Sequence, residues 1–503
     1  MRFVLCLLPS ALLLLAACEA PTPPAWPEPG AWGPATGPGI ATVAQDPATL
    51  FENCAYLDGG PEDDDHHNLV FGLDGYLVLP WAPEWSGGGI SVFEFADPCA
   101  PVKVGETYAV GLREPHNAGL ARHGDTTYGV FDWHGSIVDA ELLGGIQFWD
   151  LSDPTAPAVV SDLALPGYVY PDSYARLSAS VFWVGDRVWV SGADNGFWIV
   201  DASDPTSPEW LATVVPEPAM RVGAVHVVGD VAMVSSFEGA RTVLYDVSNP
   251  DDPQPIPGGD FAPTDAEGTP REYYFANIGG GLALFARKDG GAGYIAVDIT
   301  DPTAPTHHSR FHNPSGGGGY VVRHEQWVFE GEGDGGGAGV YDFSDPAEPF
   351  EVGRHWLTGD LDFVTPVGNV SVLSVDEDAQ DDQATAVSPW RVEPDTRPPQ
   401  LAWHRPVNGA EFVAATHPIG LSFDEQIDFA SVFEGSVRVT DGAGWPVAGR
   451  FTAQEGVAHF TPLQPWVEDT VYDVVLPAGG IIDLSGNPLA DEVRFRFSTG
   501  TLP

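Results

Sequence analysis

Gly145-Ile-Gln-Phe-Trp-Asp-Leu-Ser-Asp153-Pro154 is an alternating apolar run closed by an acid, a hydroxyl residue and an Asp-Pro step, with a second proline at Pro157. The phrase returns along the chain. It appears first as Gly89-Ile-Ser-Val-Phe-Glu-Phe-Ala-Asp97-Pro98, and later copies centre on Asp204-Pro205, Asn249-Pro250, Asp301-Pro302 and Asp345-Pro346. A period of forty-odd to fifty-odd residues marks a repeat architecture.

The third copy is the clearest. Ser178 to Val184 alternates and meets a Gly185-Asp186 turn, Arg187 to Ser191 returns to an Asp194-Asn195-Gly196 turn, Phe197 to Asp201 follows, and Glu209 to Val215 supplies a fourth short strand. This is a β-meander by its period-two patterning. Asp97, Asp153, Asp204, Asn249, Asp301 and Asp345 end the third strand of each copy: the side chain folds back on its own backbone, and the following proline fixes φ and removes a ladder donor. Four antiparallel strands repeated radially predict an all-β propeller. Six copies carry the full phrase, and a degenerate seventh spans Asp362 to Val375 and Ala384 to Pro398, where Glu393-Pro394 stands in for Asp-Pro. Seven blades are expected, with six as the alternative, and a segment near Ala41 to Phe51 is expected to close the ring.

The phrase, in Ile199 to Pro208 and Ala296 to Pro305, resembles the LVIVD-repeat family of bacterial extracytoplasmic propellers. The resemblance covers about two thirds of the chain, implies the fold and supplies no catalytic residues. Beyond Pro399 the texture changes. Pro406-Val-Asn-Gly-Ala, Pro418-Ile-Gly-Leu-Ser-Phe-Asp-Glu-Gln-Ile-Asp, Phe460-Thr-Pro462, Thr470-Val-Tyr-Asp-Val-Val-Leu, Asp483-Leu-Ser-Gly486-Asn487 and Phe495-Arg-Phe-Ser-Thr, in that order, resemble the bacterial Ig-like domain of S-layer and surface proteins. That resemblance implies a sandwich of seven or so short strands, with Asp483 and Asn487 as turn residues and a spacer or adhesion-related role. The expected layout is a signal peptide over 1–17, a lipidated cysteine and Pro/Gly-rich tether over 18–50, the propeller over 51–397 and the Ig-like module over 398–503.

Met1 to Ala17 has the charged start, the apolar run and the small residues of a secretory signal. Leu15-Ala-Ala-Cys18 resembles the lipobox of bacterial lipoproteins, so Cys18 is expected to carry acyl chains; the alternative is an ordinary signal with a chance cysteine. Cys54 and Cys99 are then the thiols left in an oxidising compartment, and they are expected to pair rather than stay as buried thiols. The bacterial cell envelope is the expected address, the outer membrane before the inner. The 71 acids against 21 bases give a formal net charge of -50, spread along the chain. Such a surface repels nucleic acid, which is excluded as a partner, and favours cations.

Candidate chemistry is sparse. Asp63, Asp64, Asp65, His66 and His67 offer metal-ligand types in a plain run, and a solvated turn is the alternative; Asp376, Asp378 and Asp381 offer oxygens suited to calcium without the EF-hand spacing. No cofactor follows with certainty, and calcium is the ion these runs could take. His116, His123 and His134, and His307, His308 and His312, are further clusters. His324-Glu325 begins like a zinc-protease motif but has no second histidine four residues on. Gly316 to Gly319 and Gly335 to Gly337 are not followed by Lys-Ser/Thr and read as flexible hairpin connections, and no Gly-x-Ser-x-Gly elbow occurs. Trp149, Trp183, Trp189 and Trp198 read as packing between blades. The functional expectation is a lipid-anchored binding scaffold that presents the propeller to an envelope protein or glycan. The alternatives are a metal-dependent hydrolase or oxidoreductase with its site at the channel, and a calcium-stabilised structural envelope protein.

Overall fold

The computed structural model describes residues 23–27, 39–40, 42–57, 70–82, 87–109, 111–112, 115–133, 144–168, 178–333, 335, 337–376, 378–380 and 383–502. Cys18, the run from Asp63 to His67, His134 and Asp381 lie outside the described residues.

Seven four-stranded antiparallel meanders follow one another along the chain and form a seven-bladed propeller. The first strand of each blade lines the axis: Phe71–Leu73, Ala118–His123, Ser180–Val184, Val222–Val228, Tyr273–Gly279, Val321–His324 and Phe363–Val367. Fourth strands such as Val102–Ala109, Ala158–Ala164 and Glu209–Val214 form the outer rim and are largely exposed.

The third blade explains the tryptophans. Successive strand side chains point to opposite faces, and both faces of a blade are covered by its neighbours. Trp183, Val188, Val190, Trp198 and Val200 therefore pack towards the second blade with Ile146 and Phe148. Phe182, Trp189, Phe197 and Ile199 pack the other way with Val225 and Val227 of the fourth blade.

Five of the six repeated phrases form two consecutive side-chain turns. The first acid accepts from the backbone two residues on, as Asp150 does from Ser152 N at 2.9 Å and Asp201 from Ser203 N at 2.8 Å. The Asp-Pro acid then repeats the contact: Asp97 accepts from Cys99 N, Asp153 from Thr155 N, Asp204 from Thr206 N, Asp301 from Thr303 N and Asp345 from Ala347 N, at 3.0–3.2 Å. Asn249 does the same with Asp251 N at 3.4 Å, so the departure from Asp keeps the turn.

The ring closes through Ala55–Leu57, which pairs with Thr385, Ala386 and Val387 as the outer strand of the seventh blade. This corrects the expectation of Ala41 to Phe51; residues 42–51 instead run beside the blade, with Gln45 N bonded to Val392 O and Phe51 N to Pro389 O. Cys54, next to the closing strand, is disulfide-bonded to Cys99 in the Asp-Pro turn of the first blade. Gly316 to Gly319 is a second correction. It is no hairpin: Gly318 N donates to Arg287 O and Gly319 N to Gly331 O, and a Cβ on Gly318 would stand 2.5 Å from Arg287 O.

The C-terminal module has seven strands, Leu401–Arg405, Ile419–Phe423, Arg438–Asp441, Gly449–Gln454, Val457–Pro462, Val471–Leu476 and Val493–Ser498. They form two packed sheets. Asp483 accepts from Asn487 N at 2.8 Å and from Asn487 Nδ2 at 2.9 Å, closing the turn before the last strand.

Candidate functional site at the capped channel

The turn between the first and second strands of every blade points to one face of the propeller, and the Ig-like module meets six of these turns; in the second blade, whose turn at Gly124 and Asp125 is exposed, it meets the inner strand instead. Asp428 accepts from Asp74 N and Gly75 N of the first blade at 3.1 and 3.2 Å. The Arg122 guanidinium of the second lies over the Phe429 ring at 5.2 Å. Gln454 Nε2 donates to Val181 O of the third at 2.9 Å. Arg405 holds Asp230 of the fourth through two bonds of 2.6 and 2.7 Å. Gly280 N of the fifth donates to Ser422 Oγ at 3.0 Å, and Glu325 N of the sixth to Asp424 O at 2.8 Å. A Cβ on Gly368 of the seventh would stand 2.6 Å from Ser485 Oγ.

The module also enters the channel. The hairpin of Gly449–Gln454 and Val457–Pro462 adds to the inner strand of the second blade, with Phe451, Thr452 and Ala453 paired to Arg122, Ala121 and Leu120. One continuous sheet of eight strands thus runs from the second blade into the module. Inner-strand residues Leu120, Phe275 and Phe363 share a single apolar cluster with Phe451, Phe460, Trp466 and Phe497 of the module.

At the opposite mouth, aromatic rings from several blades meet. Phe275 stacks on Tyr320 with centroids 4.0 Å apart, Tyr320 contacts Phe363 at 4.6 Å, and Phe237 contacts Phe275 at 5.6 Å. Between rings and hairpin tip lies a cavity of about 20 Å³ lined by His116, Ser180, His226, Asn277, Tyr320 and Glu455, room for a water molecule or so. His116 Nδ1 lies 2.6 Å from Asp132 Oδ2, and His116 N donates to Asp132 Oδ1 at 3.0 Å. Burial raises the Asp132 carboxyl, and the His116 contact opposes that shift. Burial pushes the His226 imidazole down to about 4 and the Glu455 carboxyl up to about 7, the latter opposed by Asn277.

The sequence candidates do not converge here. His116 precedes the inner strand of the second blade and His123 ends it, so six residues, about 20 Å of chain, separate them. His123 instead packs against Trp183 and Tyr128. His307 and His312 serve separate loops, beside Thr264 N and Gly290 O. Asp376 N donates to Asp360 O, and neither Asp376 nor Asp378 joins a converging ligand group among the described residues. The converging group among them is His324, Glu325, Asp395 and Glu425, buried in the seam between the sixth blade and the module. Burial, then Asp483, Asp395, Asp424 and Glu325, push the Glu425 carboxyl well up.

His459 couples the docking to pH. It is 1% exposed, accepts from Gly229 N at 3.3 Å, and burial lowers it to about 3. Its folded value lies below the unfolded one near 6.5, so this stability is complete above pH 6.5 and is lost as pH falls towards 3. At pH 5 the loss is about 2 kcal/mol. Urea melts at pH 7.5 and pH 5 are expected to differ by at least that amount, with His459→Gln reducing the difference.

Residues 177–214 match the LVIVD repeat and residues 395–499 match the bacterial Ig-like domain. No curated protein matches the chain. Among solved structures, the periplasmic gluconolactonase PpgL of Pseudomonas aeruginosa aligns at 11% identity and TM-score 0.45, over 63% of this chain and 87% of that one. The Cps50 (Swd1) β-propeller domain of Myceliophteria thermophila aligns at 11% identity and TM-score 0.43, over 67% and 99%. Likeness this remote carries no argument about function.

Proposed function

We propose that the protein is a lipid-anchored binding scaffold of the bacterial cell envelope, held to the outer membrane through Cys18, that presents the face of the propeller opposite the Ig-like module to an envelope protein or glycan. The observation that carries this reading is the plug: the module meets six of the seven inner turns and pairs with the inner strand of the second blade, and the cavity that the described residues enclose above the hairpin tip is about 20 Å³, far below the few hundred that a small-molecule pocket takes. What is left for recognition is the opposite face, built from the loops after the second and fourth strands. The module then acts as a fixed cap rather than a spacer.

A second reading, a hydrolase or oxidoreductase at the channel mouth, is favoured by the His116–Asp132 pair, because a buried carboxylate on Nδ1 orients an imidazole for proton transfer. One experiment separates the two. Photo-crosslinking side chains at Asn195 and Glu217, on the open face, are expected to capture an envelope component in cells, and one at Phe412, on the module, is not. Turnover of esters or lactones by the purified protein, abolished in His116→Asn, together with no open-face product, would replace the scaffold reading with the enzyme.

A further inference from the structure

His324 ends the inner strand of the sixth blade and Glu325 starts its turn, in the left-handed region at φ 54°. That turn carries both side chains under the Ig-like module, where Asp395 from the connecting segment and Glu425 from the module meet them. Each of the four offers one ligand atom, and these atoms all lie within 4.8 Å of one another. The residues are 2–3% exposed.

The group is more than an acidic cluster, because polar atoms in it are buried and unsatisfied. His324 Nε2, Glu325 Oε1 and Glu425 Oε1 have no hydrogen-bond partner; Asp395 Oδ2 lies 3.8 Å from His324 Nε2, and Glu425 Oε2 lies 3.4 Å from His324 Nδ1. Leaving such groups unpaired is costly. Two carboxylates are already oriented from outside: Arg397 holds Glu325 Oε2 at 2.7 Å, and Arg391 holds Asp395 Oδ1 at 3.0 Å. Of their other oxygens, Glu325 Oε1 is unpartnered and Asp395 Oδ2 accepts from Ser485 Oγ at 3.1 Å.

We propose that His324, Glu325, Asp395 and Glu425 form a structural site for a divalent transition metal of the zinc class, which clamps the Ig-like module to the sixth blade. One imidazole and three carboxylates are a four-donor set suited to zinc, where calcium would take more oxygens and no imidazole. The outer arginines do for the carboxylates what second-shell partners do at metal sites generally. A cavity lined by Trp327, Trp390, Arg391, Asp395 and Arg397 borders the site at Asp395. This goes beyond the scaffold reading and does not depend on it.

The test uses the full chain purified without chelator. About one zinc per chain is expected, retained or taken up from added Zn2+, with a melting temperature that falls on EDTA treatment and recovers with Zn2+. His324→Gln and Glu425→Gln are each expected to lower Zn2+ affinity by about 100-fold or more. Should either variant fail to fold, X-ray absorption of the zinc-loaded wild type reads the donors directly, and one imidazole among oxygens is expected. Wild-type protein that binds neither Zn2+ nor Mn2+, binding unchanged in both folded variants, or an all-oxygen shell overturns the proposal.

Discussion

Gly420→Val is expected to destabilise the whole protein by about 3 kcal/mol or more, because two backbones meet there and neither can give way. Gly420 lies in the module strand Ile419–Phe423, and a Cβ on it would stand 2.0 Å from Gly229 N and 2.7 Å from Val228 C, at the inner turn of the fourth blade. The bonds that fix that turn are close by: Arg405 to Asp230, and Gly229 N to His459 Nε2. The clash therefore pushes the module off the blade and withdraws the hairpin from the channel, exposing the apolar cluster shared by Leu120, Phe275, Phe451 and Phe460. Thermal melts and limited proteolysis check this, with Gly442→Ala as the control, since a Cβ at Gly442 meets nothing nearer than 3.5 Å. Equal stability of the two variants would mean that the module does not rest on the fourth blade.

Loss of the Cys54–Cys99 disulfide is expected to cost about 4 kcal/mol in the chain-entropy model, given the sequence separation of 45 between the cysteines. Its place in the ring makes the loss visible. The closing strand Ala55–Leu57 has three residues and pairs on one side only, so the disulfide joins the packing of Leu57 with Phe93 and Phe95 in holding the seventh blade's outer edge to the first blade. The double variant Cys54→Ser/Cys99→Ser should lower the guanidinium midpoint and open the chain near residue 55 to protease. A change under about 1 kcal/mol would show that the strand closes the ring unaided.

The propeller was legible because the repeated phrase carries its own physics: Trp189 and Trp198 alternate between two interfaces, and Asp153 or Asp204 writes its turn locally. The closing strand was not, since three residues are too few for a period. The docking of the Ig-like module was beyond reach for a different reason. Gln454-Glu455-Gly456 reads as an ordinary hairpin tip, and its pairing with Ala118–His123 joins residues more than three hundred positions apart. The seam cluster follows the same rule. His324-Glu325 stood out in the sequence but lacked a second histidine, and the residues that complete the group, Asp395 and Glu425, belong to other modules and reach it only through docking.

The central claim is that propeller and Ig-like module form one body with the channel plugged, and small-angle X-ray scattering of the purified protein tests it most directly. A compact particle of 503 residues has a radius of gyration of about 23 Å, raised somewhat by the tether, and its distance distribution has a single maximum. A second maximum at long distance, as from a module swinging on residues 390–399, would contradict the plugged architecture and with it the scaffold reading built on it.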